Sequence, residues 1–479
     1  MPASWKSQGE PVKKRGLLFS LVTIGTLCSC AGLQTVNSPL ARIDPEAGYR
    51  PVTRASRESL GRVWLTLAFS GGGTRAAAFA YGVLEELRDT VIEVDGQPVR
   101  LLDEIDTISA VSGGSFPAAY YGLFGDRIFE DFGDKFLNRN IQRALFFQAL
   151  RPWNLLRLMT PSYTRSMLAL DYYNRKVFEK ATFADLAAAN GPVIHINATD
   201  LSHGYRFTFN QGQFDFICSD LDKLPVATAV AASSAVPILL SPITLRNYAG
   251  TCGFEAPEWI LNSLEAQGSD RRRYLSARSF AGFTDTQKRP FIHLLDGGIA
   301  DNLGLRFAIE LTSAAGGIDF LIEEAGITPP EQFLLIVVNA ETDPNPKIDL
   351  SSAAPSFAAL MNSVSGSQIR RYNLETLILA EDSVNQLGHL LTQDTGAPIE
   401  ARLIEVSFDA LPKEDDRKYF KLLPTSFVLG NETVDRLRAA GRQLLRENPS
   451  FQELIAQLRE DNSSPLAPAT RPDPMAPPP

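Results

Sequence analysis

The sequence predicts an α/β fold with a central, mostly parallel sheet. Apolar runs of strand length alternate with amphipathic helical segments along the chain. Residues 63–69 form an apolar, β-branched run that leads through three glycines into a helical segment. Residues 333–339 are continuously apolar, as expected of a parallel strand covered on both faces. With 479 residues, 44% of them hydrophobic, the chain can bury a large core.

The same periodic patterns place further elements along the chain. Besides the two strands above, they predict strands at 107–111, 193–198, 206–209 and 291–295, and helices at 76–88, 225–234 and 432–447. The strands that alternate with helices up to residue 339 indicate a layered α/β domain. Residues 255–288 contain three consecutive arginines and scattered polar residues, which predicts an exposed insertion. The region 346–460 is predicted to be a mostly helical extension, and the Pro- and Ala-rich tail 461–479 to be disordered.

The first 29 residues have the pattern of an export signal. A basic stretch, residues 13–15, precedes an apolar run, 16–27, that is too short to span a bilayer. Residues 27–30 read Leu-Cys-Ser-Cys and resemble a bacterial lipobox, which implies cleavage before Cys30 and lipidation of its thiol. The alternative is a plain signal peptide with a coincidental cysteine.

Lipidation of Cys30 implies an exported protein anchored to a membrane surface. Residues 30–61 are polar, contain three prolines and are predicted to be a tether. Gly32, rather than an Asp, stands shortly after Cys30, which favours the outer membrane of a Gram-negative bacterium. No later stretch is apolar enough to cross a bilayer. The net charge of −9 argues against a nucleic-acid partner, and the oligomeric state is left open.

The chain has four cysteines, and export would determine whether those that remain in the mature protein are oxidised. With Cys28 removed and Cys30 lipidated, Cys218 and Cys252 remain. An oxidising compartment favours a disulfide between them, and two buried thiols are the alternative. A zinc site is not expected, because no CxxC motif or histidine cluster accompanies them.

A candidate nucleophile lies between the strand at 107–111 and the helical segment that follows. Ser112 has small neighbours, Ala110, Gly113 and Gly114, which the tight and strained turn of a nucleophile elbow requires. The start of the next helix offers N–H groups and positive potential to a developing oxyanion. By itself, a Ser-Gly-Gly turn is more often an ordinary loop.

A glycine loop follows the first strand. Gly71, Gly72 and Gly73 allow backbone N–H groups to approach a ligand closely, as in a phosphate cradle or an oxyanion hole. The Lys of a P-loop is missing, and Ala76 stands where a dinucleotide fingerprint has its third glycine, so the oxyanion hole is favoured. Arg75 is expected to orient this loop or bind an anionic head group; the alternative is a solvated charge at the helix start.

A candidate base, Asp296, directly follows the strand at 291–295 and precedes two glycines. Strand ends of this kind are common active-site positions in α/β sheets, although an ordinary turn is the simpler interpretation of the motif alone. The chain's four histidines have no obvious catalytic setting: His195, His203, His293 and His389. A carboxylate acting directly on Ser112 is therefore more economical than a Ser-His-Asp triad, and it requires partial burial to suit its pKa.

In this order, the three motifs at 71–75, 110–114 and 296–298 resemble those of the patatin-like phospholipases. A fourth stretch, 231–237, resembles that family's helix and turn between elbow and Asp. The likeness covers residues 62–345 and implies a three-layer α/β/α patatin-like fold. Ala110 departs from the family pattern, which has glycine there, and this puts a fully active elbow in doubt.

The resemblance also implies the site and its activity. Ser112 and Asp296 match a catalytic dyad, with Gly71, Gly72, Gly73 and Gly113 as oxyanion donors and with no metal or cofactor. It implies a lipid acyl hydrolase that acts on phospholipids or other acyl esters through an acyl-enzyme. The alternatives are a thioesterase or acyltransferase with the same dyad, and a catalytically silent, membrane-tethered scaffold.

Overall fold

The computed structural model describes most of the chain after residue 34. The described residues are 35–50, 63–94, 97–160, 163–237, 239–266, 270–306, 309, 330, 332–344, 348–350, 352–395 and 399–461. The predicted signal peptide, Cys30 and the tail after residue 461 lie outside them. Within these ranges, none of the helices combines the length and the hydropathy that a bilayer crossing requires.

The strands agree with the sequence pattern at every predicted position and add several short ones. In chain order they are β1 (Ser38–Pro39), β2 (Val63–Phe69), β3 (Val91–Val94), β4 (Gln97–Arg100), β5 (Ile105–Val111), β6 (Val193–Asp200), β7 (Arg206–Thr208), β8 (Ser219–Asp220), β9 (Ile243–Arg246), β10 (Phe291–Leu295), β11 (Gln332–Asn339) and β12 (Glu400–Ser407).

The helices surround these strands and include those predicted from periodicity. They are α1 (Thr74–Asp89), α2 (Ser115–Phe124), α3 (Ile128–Phe132), α4 (Ile141–Ala149), α5 (Pro152–Leu158), α6 (Arg165–Lys176), α7 (Phe183–Ala188), α8 (Gln211–Asp215), α9 (Val226–Ser233), α10 (Glu258–Glu265), α11 (Arg271–Ala281), α12 (Gly298–Asp301), α13 (Phe357–Thr395), α14 (Glu414–Lys421), α15 (Asn431–Arg446) and α16 (Pro449–Asp461). Helices α10 and α11 lie within the predicted insertion.

The central sheet has the order β12-β11-β2-β5-β6-β10-β9, with β7 paired to β6. The strands from β12 to β6 are parallel, and β10, β9 and β7 pair antiparallel. Since β2 and β5 are adjacent and parallel, the segments that follow them emerge at the same edge of the sheet. Leu295, the last residue of β10, lies opposite Thr199 near the carboxyl end of β6. The residue after β10 therefore reaches this edge from an antiparallel strand.

Helices cover both faces of the sheet, as expected from the continuously apolar β11. Its residues Leu334, Ile336 and Val338 pack into the main hydrophobic core. The alternate residues Leu335 and Val337 belong to a second core, which includes side chains of α13. Because alternate side chains of one strand point to opposite faces, the sheet is the middle layer of an α/β/α fold.

Residues 35–50 differ from the predicted tether, because they pack against the domain. β1 pairs with β8, and Asn37 donates a hydrogen bond to the Ser219 hydroxyl at 3.0 Å. The buried Tyr49 hydroxyl accepts from the Ile194 N–H at 2.6 Å and lies 3.1 Å from the Ile194 carbonyl oxygen. A two-residue strand and single side chains anchor this segment, so no apolar period reveals the attachment in the sequence.

A disulfide joins the start of β8 to the loop after β9. It links Cys218 and Cys252, whose Cα atoms are 5.5 Å apart across a sequence separation of 34. Of the two alternatives left open by the sequence, the disulfide is therefore the one present. It holds β9, at the edge of the sheet, to the segment that anchors β1.

The described residues between 348 and 461 are mostly helical, but they also complete the sheet. β12 pairs in parallel with β11 along the whole length of both strands. Helix α15 lies against α1, where a Cβ on Gly441 would be only 2.4 Å from the Phe79 carbonyl oxygen. Arg438 and Arg446 of α15 bind Glu85 and Glu86 of α1. This region is therefore part of the same fold as the central sheet.

Candidate active site

Ser112 lies at the turn between β5 and α2, where the predicted elbow places it. Its φ angle is +48°, in the left-handed region that non-glycine residues rarely adopt. Its N–H donates a hydrogen bond to the Ser233 hydroxyl at 2.8 Å, which holds the backbone in this conformation. A strained turn of this kind directs a serine hydroxyl away from the end of a strand, toward the groups beside it.

The elbow requires glycine at two positions because other backbone segments lie directly against it. A Cβ on Gly113 would be 2.1 Å from the Gly73 carbonyl oxygen. One on Gly114 would be 2.7 Å from the Cβ of Phe69 and from the Ser70 carbonyl oxygen. The sequence indicates small residues here, and the structure shows that they let the elbow pack on the glycine loop.

The structure brings Ser112 and Asp296 together. The Ser112 hydroxyl donates a hydrogen bond to Asp296 Oδ2 at 2.8 Å, and Asp296 Oδ1 accepts one from the Gly298 N–H, also at 2.8 Å. Both residues are buried. Burial raises the pKa of Asp296 to about 6, although the hydrogen bonds from Ser112 and Gly298 oppose this rise. The carboxylate is thus well placed to accept the hydroxyl proton.

Two polar residues of the neighbouring elements fix this pair. Ser233, the last residue of α9, accepts the Ser112 N–H, and its carbonyl accepts the Gly297 N–H at 3.0 Å. The Thr199 hydroxyl donates to the Asp296 carbonyl at 2.8 Å. The sequence motif 231–237 indicates a helix and a turn, but it does not reveal that Ser233 bonds to the segments of both candidate catalytic residues.

The glycine loop lies beside Ser112, but its first amide faces elsewhere. The Gly71 N–H donates to the Asn302 carbonyl at 3.0 Å, so Gly71 is not an oxyanion donor as predicted. This N–H group is already hydrogen-bonded because the loop lies against the turn after α12. The sequence motif does not reveal that contact. Gly72 and Gly73 adopt φ angles of +143° and +61°, which only glycine adopts readily. With Gly113, they remain the candidate donors.

Arg75 is buried, which contradicts the predictions of a solvated charge and of a head-group ligand. It is only 3% exposed, and burial lowers its pKa to about 10, so it stays charged at neutral pH. Its guanidinium donates to the carbonyl oxygens of Ala340 at 2.9 Å and Leu423 at 2.7 Å. A Cβ on Gly72 would be 2.8 Å from its Nη2 atom. Arg75 therefore lies directly against the glycine loop and fixes its orientation.

The four histidines take other roles. Burial in β6 lowers the pKa of His195 to about 3, so this side chain is neutral at physiological pH. His293 shares a hydrogen bond with the Thr244 hydroxyl at 2.9 Å, and His203 lies 3.3 Å from Asp200. His389 is exposed on α13. Among the described residues, no cluster of His, Cys, Asp or Glu side chains is arranged to hold a metal ion.

Ala110, the departure from the family's elbow, fits without disturbing the site. Its side chain is fully buried in the main core, and the Ser112–Asp296 hydrogen bond forms beside it. We expect Ala110→Gly to lower the free energy of unfolding by about 1 kcal/mol, because glycine weakens a strand interior. Urea unfolding and ester hydrolysis would measure this change. An activity gain of about tenfold or more would instead show that the alanine methyl restrains the elbow.

Comparisons with known proteins identify the family of this chain. A model of the patatin-like phospholipases matches residues 67–309. A search of curated proteins found no match. Human GIVD cytosolic phospholipase A2 is 11% identical, with a TM-score of 0.43 over 90% of this chain and 69% of that one. Its complex with methyl gamma-linolenyl fluorophosphonate is 12% identical, with a TM-score of 0.37 over 86% and 62%. On the family match, this chain belongs to the patatin-like phospholipases, which hydrolyse lipid esters.

Proposed function

We propose that this protein hydrolyses acyl ester bonds of phospholipids or lysophospholipids with Ser112 as nucleophile and Asp296 as base. The observation that carries the proposal is the 2.8 Å hydrogen bond from the serine hydroxyl to the buried carboxylate. The family supplies the substrate class, and the pKa of Asp296, raised by burial to about 6, suits a base that works near neutral pH.

In the first step, the Ser112 oxygen attacks the ester carbonyl carbon while Asp296 takes the hydroxyl proton. The N–H groups of Gly72, Gly73 and Gly113 stabilise the oxyanion of the tetrahedral intermediate. The bond to the leaving alcohol then breaks, and the alcohol oxygen takes the proton from Asp296. The products of this step are the free alcohol and an acyl ester on Ser112.

In the second step, water replaces the alcohol. The water oxygen attacks the acyl-enzyme carbonyl carbon while Asp296 accepts a proton from the water. The same N–H groups stabilise the second oxyanion. Collapse releases the fatty acid, and the proton returns from Asp296 to the Ser112 oxygen. The dyad is thereby restored with no net change.

Labelling with a fluorophosphonate probe tests the nucleophile directly. We expect the native protein to be labelled and Ser112→Ala not to be. Rates on matched phospholipid, lysophospholipid and acyl-thioester substrates then identify the ester class. A folded native sample that neither labels nor hydrolyses would favour a silent scaffold, and hydrolysis of the thioester alone would favour a thioesterase.

The raised pKa of Asp296 predicts how activity depends on pH. A base must be ionised, so kcat/KM should be half-maximal near pH 6 and fall about tenfold for each further unit of acidification. Measurements on a soluble ester from about pH 5 to about pH 8 would test this, with near-UV circular dichroism to monitor folding. A profile that stays flat down to about pH 5 in folded protein would contradict the assignment of this carboxylate as base.

We also propose that Cys30 is lipidated and that the enzyme is anchored on a membrane after export. Residues 27–30 support this proposal, and β1 begins only a few residues later, so the folded domain would lie within about 30 Å of the anchor. Metabolic labelling with a fatty-acid analogue should mark the native protein and not Cys30→Ser. Equal membrane recovery of both forms, with no labelling of either, would contradict lipidation.

A further inference from the structure

Helices α4 and α5 form a short hairpin with an unusually apolar surface. Seven of its large side chains are more than half exposed: Phe146 60%, Phe147 54%, Leu150 54%, Trp153 72%, Leu155 51%, Leu156 61% and Met159 78%. Together they expose apolar area on the order of 500 Å², at the upper end of what soluble monomers present. In the part of the chain that the structure describes, no other element buries these side chains.

We propose that this hairpin, residues 141–159, docks the enzyme on an anionic lipid bilayer. The inference rests on the proposed function, since docking on a bilayer would bring the enzyme to its phospholipid substrate. A helical segment lies in a bilayer interface when aromatic and aliphatic side chains share its surface with arginines. Trp153 is the most exposed aromatic of the set, and tryptophan favours the level of the head groups.

The charge around the hairpin is complementary to anionic lipid. Residues 135–170 contain one lysine and five arginines but no Asp or Glu, in a chain whose net charge is −9. Two of these cations are partly neutralised. Lys135 lies 2.7 Å from Asp131 and 2.6 Å from Glu179, and Arg157 lies 3.3 Å from Asp171 of α6. Arg143, Arg151 and Arg165 are exposed. These three cations flank the apolar side chains, where they can meet lipid phosphates.

The hairpin is also connected to the candidate active site. Gln142, in the first turn of α4, donates to the Ser426 hydroxyl at 3.2 Å. The carbonyl of Ser426 accepts the Thr74 N–H at 2.8 Å, directly after the glycine loop. One residue therefore links the docking surface to the loop beside Ser112, so a bilayer on this surface would lie close to the catalytic groups.

A second copy of the chain is the main rival occupant, and the same charges disfavour it. Two hairpins packed face to face about a two-fold axis would bring Arg143, Arg151 and Arg165 of both copies together. No acidic residue within residues 135–170 is available to compensate them. A bilayer that contains anionic lipid supplies the opposite charge over the whole surface.

Vesicle binding tests the proposal in full-length chains that all carry Cys30→Ser, so that no N-terminal lipid contributes. We expect Trp153→Ala with Leu156→Ser to reduce partitioning about tenfold onto vesicles of phosphatidylcholine with about 30% phosphatidylglycerol. Arg143→Gln with Arg151→Gln should remove the preference for the anionic vesicles over phosphatidylcholine alone. Leu374→Ser, a similarly exposed site on α13, is the matched control and should bind normally.

Two further measurements separate the possible failures. Hydrolysis of a soluble short-chain ester should be unchanged in the hairpin variants, because these side chains lie outside the dyad. Ser112→Ala should bind vesicles normally, so loss of hydrolysis with retained binding would overturn only the proposed function. Hairpin variants that bind like the native chain would overturn the docking proposal. A dimer that only these substitutions dissociate would also overturn it, in favour of a protein interface.

Discussion

Ser112→Ala and Asp296→Asn should each reduce kcat/KM for ester hydrolysis by about 10³- to 10⁵-fold, with the fold retained. The alanine removes the attacking oxygen. The asparagine keeps the shape of Asp296 but cannot accept the hydroxyl proton, although it can still bond to the Gly298 N–H. Because the proposed mechanism uses both residues in the same step, the double variant should be little worse than either single one.

The controls for this prediction separate chemistry from folding. Ser202→Ala changes an exposed serine after β6 and should leave activity within about twofold of the native value. Near-UV circular dichroism and the urea midpoint would show that the dyad variants are folded. More than about a tenth of native activity in folded Asp296→Asn would rule out Asp296 as the base. The same result for Ser112→Ala would rule out Ser112 as the nucleophile.

Gly113→Ala should lower the free energy of unfolding by about 3 kcal/mol and kcat/KM by about 100-fold or more. The new methyl group would lie 2.1 Å from the Gly73 carbonyl oxygen, so the glycine loop or the elbow must move. The backbone of the glycine loop is fixed in place, because the Ser426 carbonyl accepts the Thr74 N–H and the guanidinium of Arg75, itself bonded to the Leu423 carbonyl, lies against the loop. Moving the glycine loop would therefore strain its backbone, and its N–H groups would no longer point at the proposed oxyanion.

Gly430→Ala is the matched control for this substitution. No heavy atom lies within 4 Å of a Cβ on Gly430, and its φ angle of −68° is ordinary for alanine. We expect its stability to stay within about 0.5 kcal/mol of the native protein, with activity unchanged. If Gly113→Ala behaved like Gly430→Ala in urea unfolding and ester hydrolysis, the close packing of elbow and glycine loop would be wrong.

The local part of the site could be predicted because short-range sterics leave a mark on residue type. A strand that turns sharply into a helix needs small neighbours, and Ser112, Gly113 and Gly114 meet that requirement within one stretch. Asp296 was similarly visible as a carboxylate at the end of an apolar strand. The antiparallel direction of β10 was not visible, because the strand has no pattern that reports which neighbour it pairs with.

The hydrogen-bond partner of each backbone amide, and the contacts that hold the glycine loop in place, could not be predicted. Gly71 appears equivalent to Gly72 in the sequence, yet its N–H is bonded to Asn302. Arg75 is held by the carbonyl of Leu423, a residue 348 positions away. Carbonyl groups are common to all residues, so these contacts leave no signal in the side-chain pattern. The same reason hides the part that residues 399–461 play in the fold.

The order of strands and helices, the elbow, the glycine loop and the candidate base all follow from the amino-acid pattern. These depend on periodicity and on which side chains a tight turn admits. The fold as a whole sets the 2.8 Å distance from Ser112 Oγ to Asp296 Oδ2, and it leaves large apolar side chains of α4 and α5, such as Phe146 and Trp153, exposed. Periodicity shows that a helix has an apolar face, but whether that face is covered depends on distant segments packed by the whole fold.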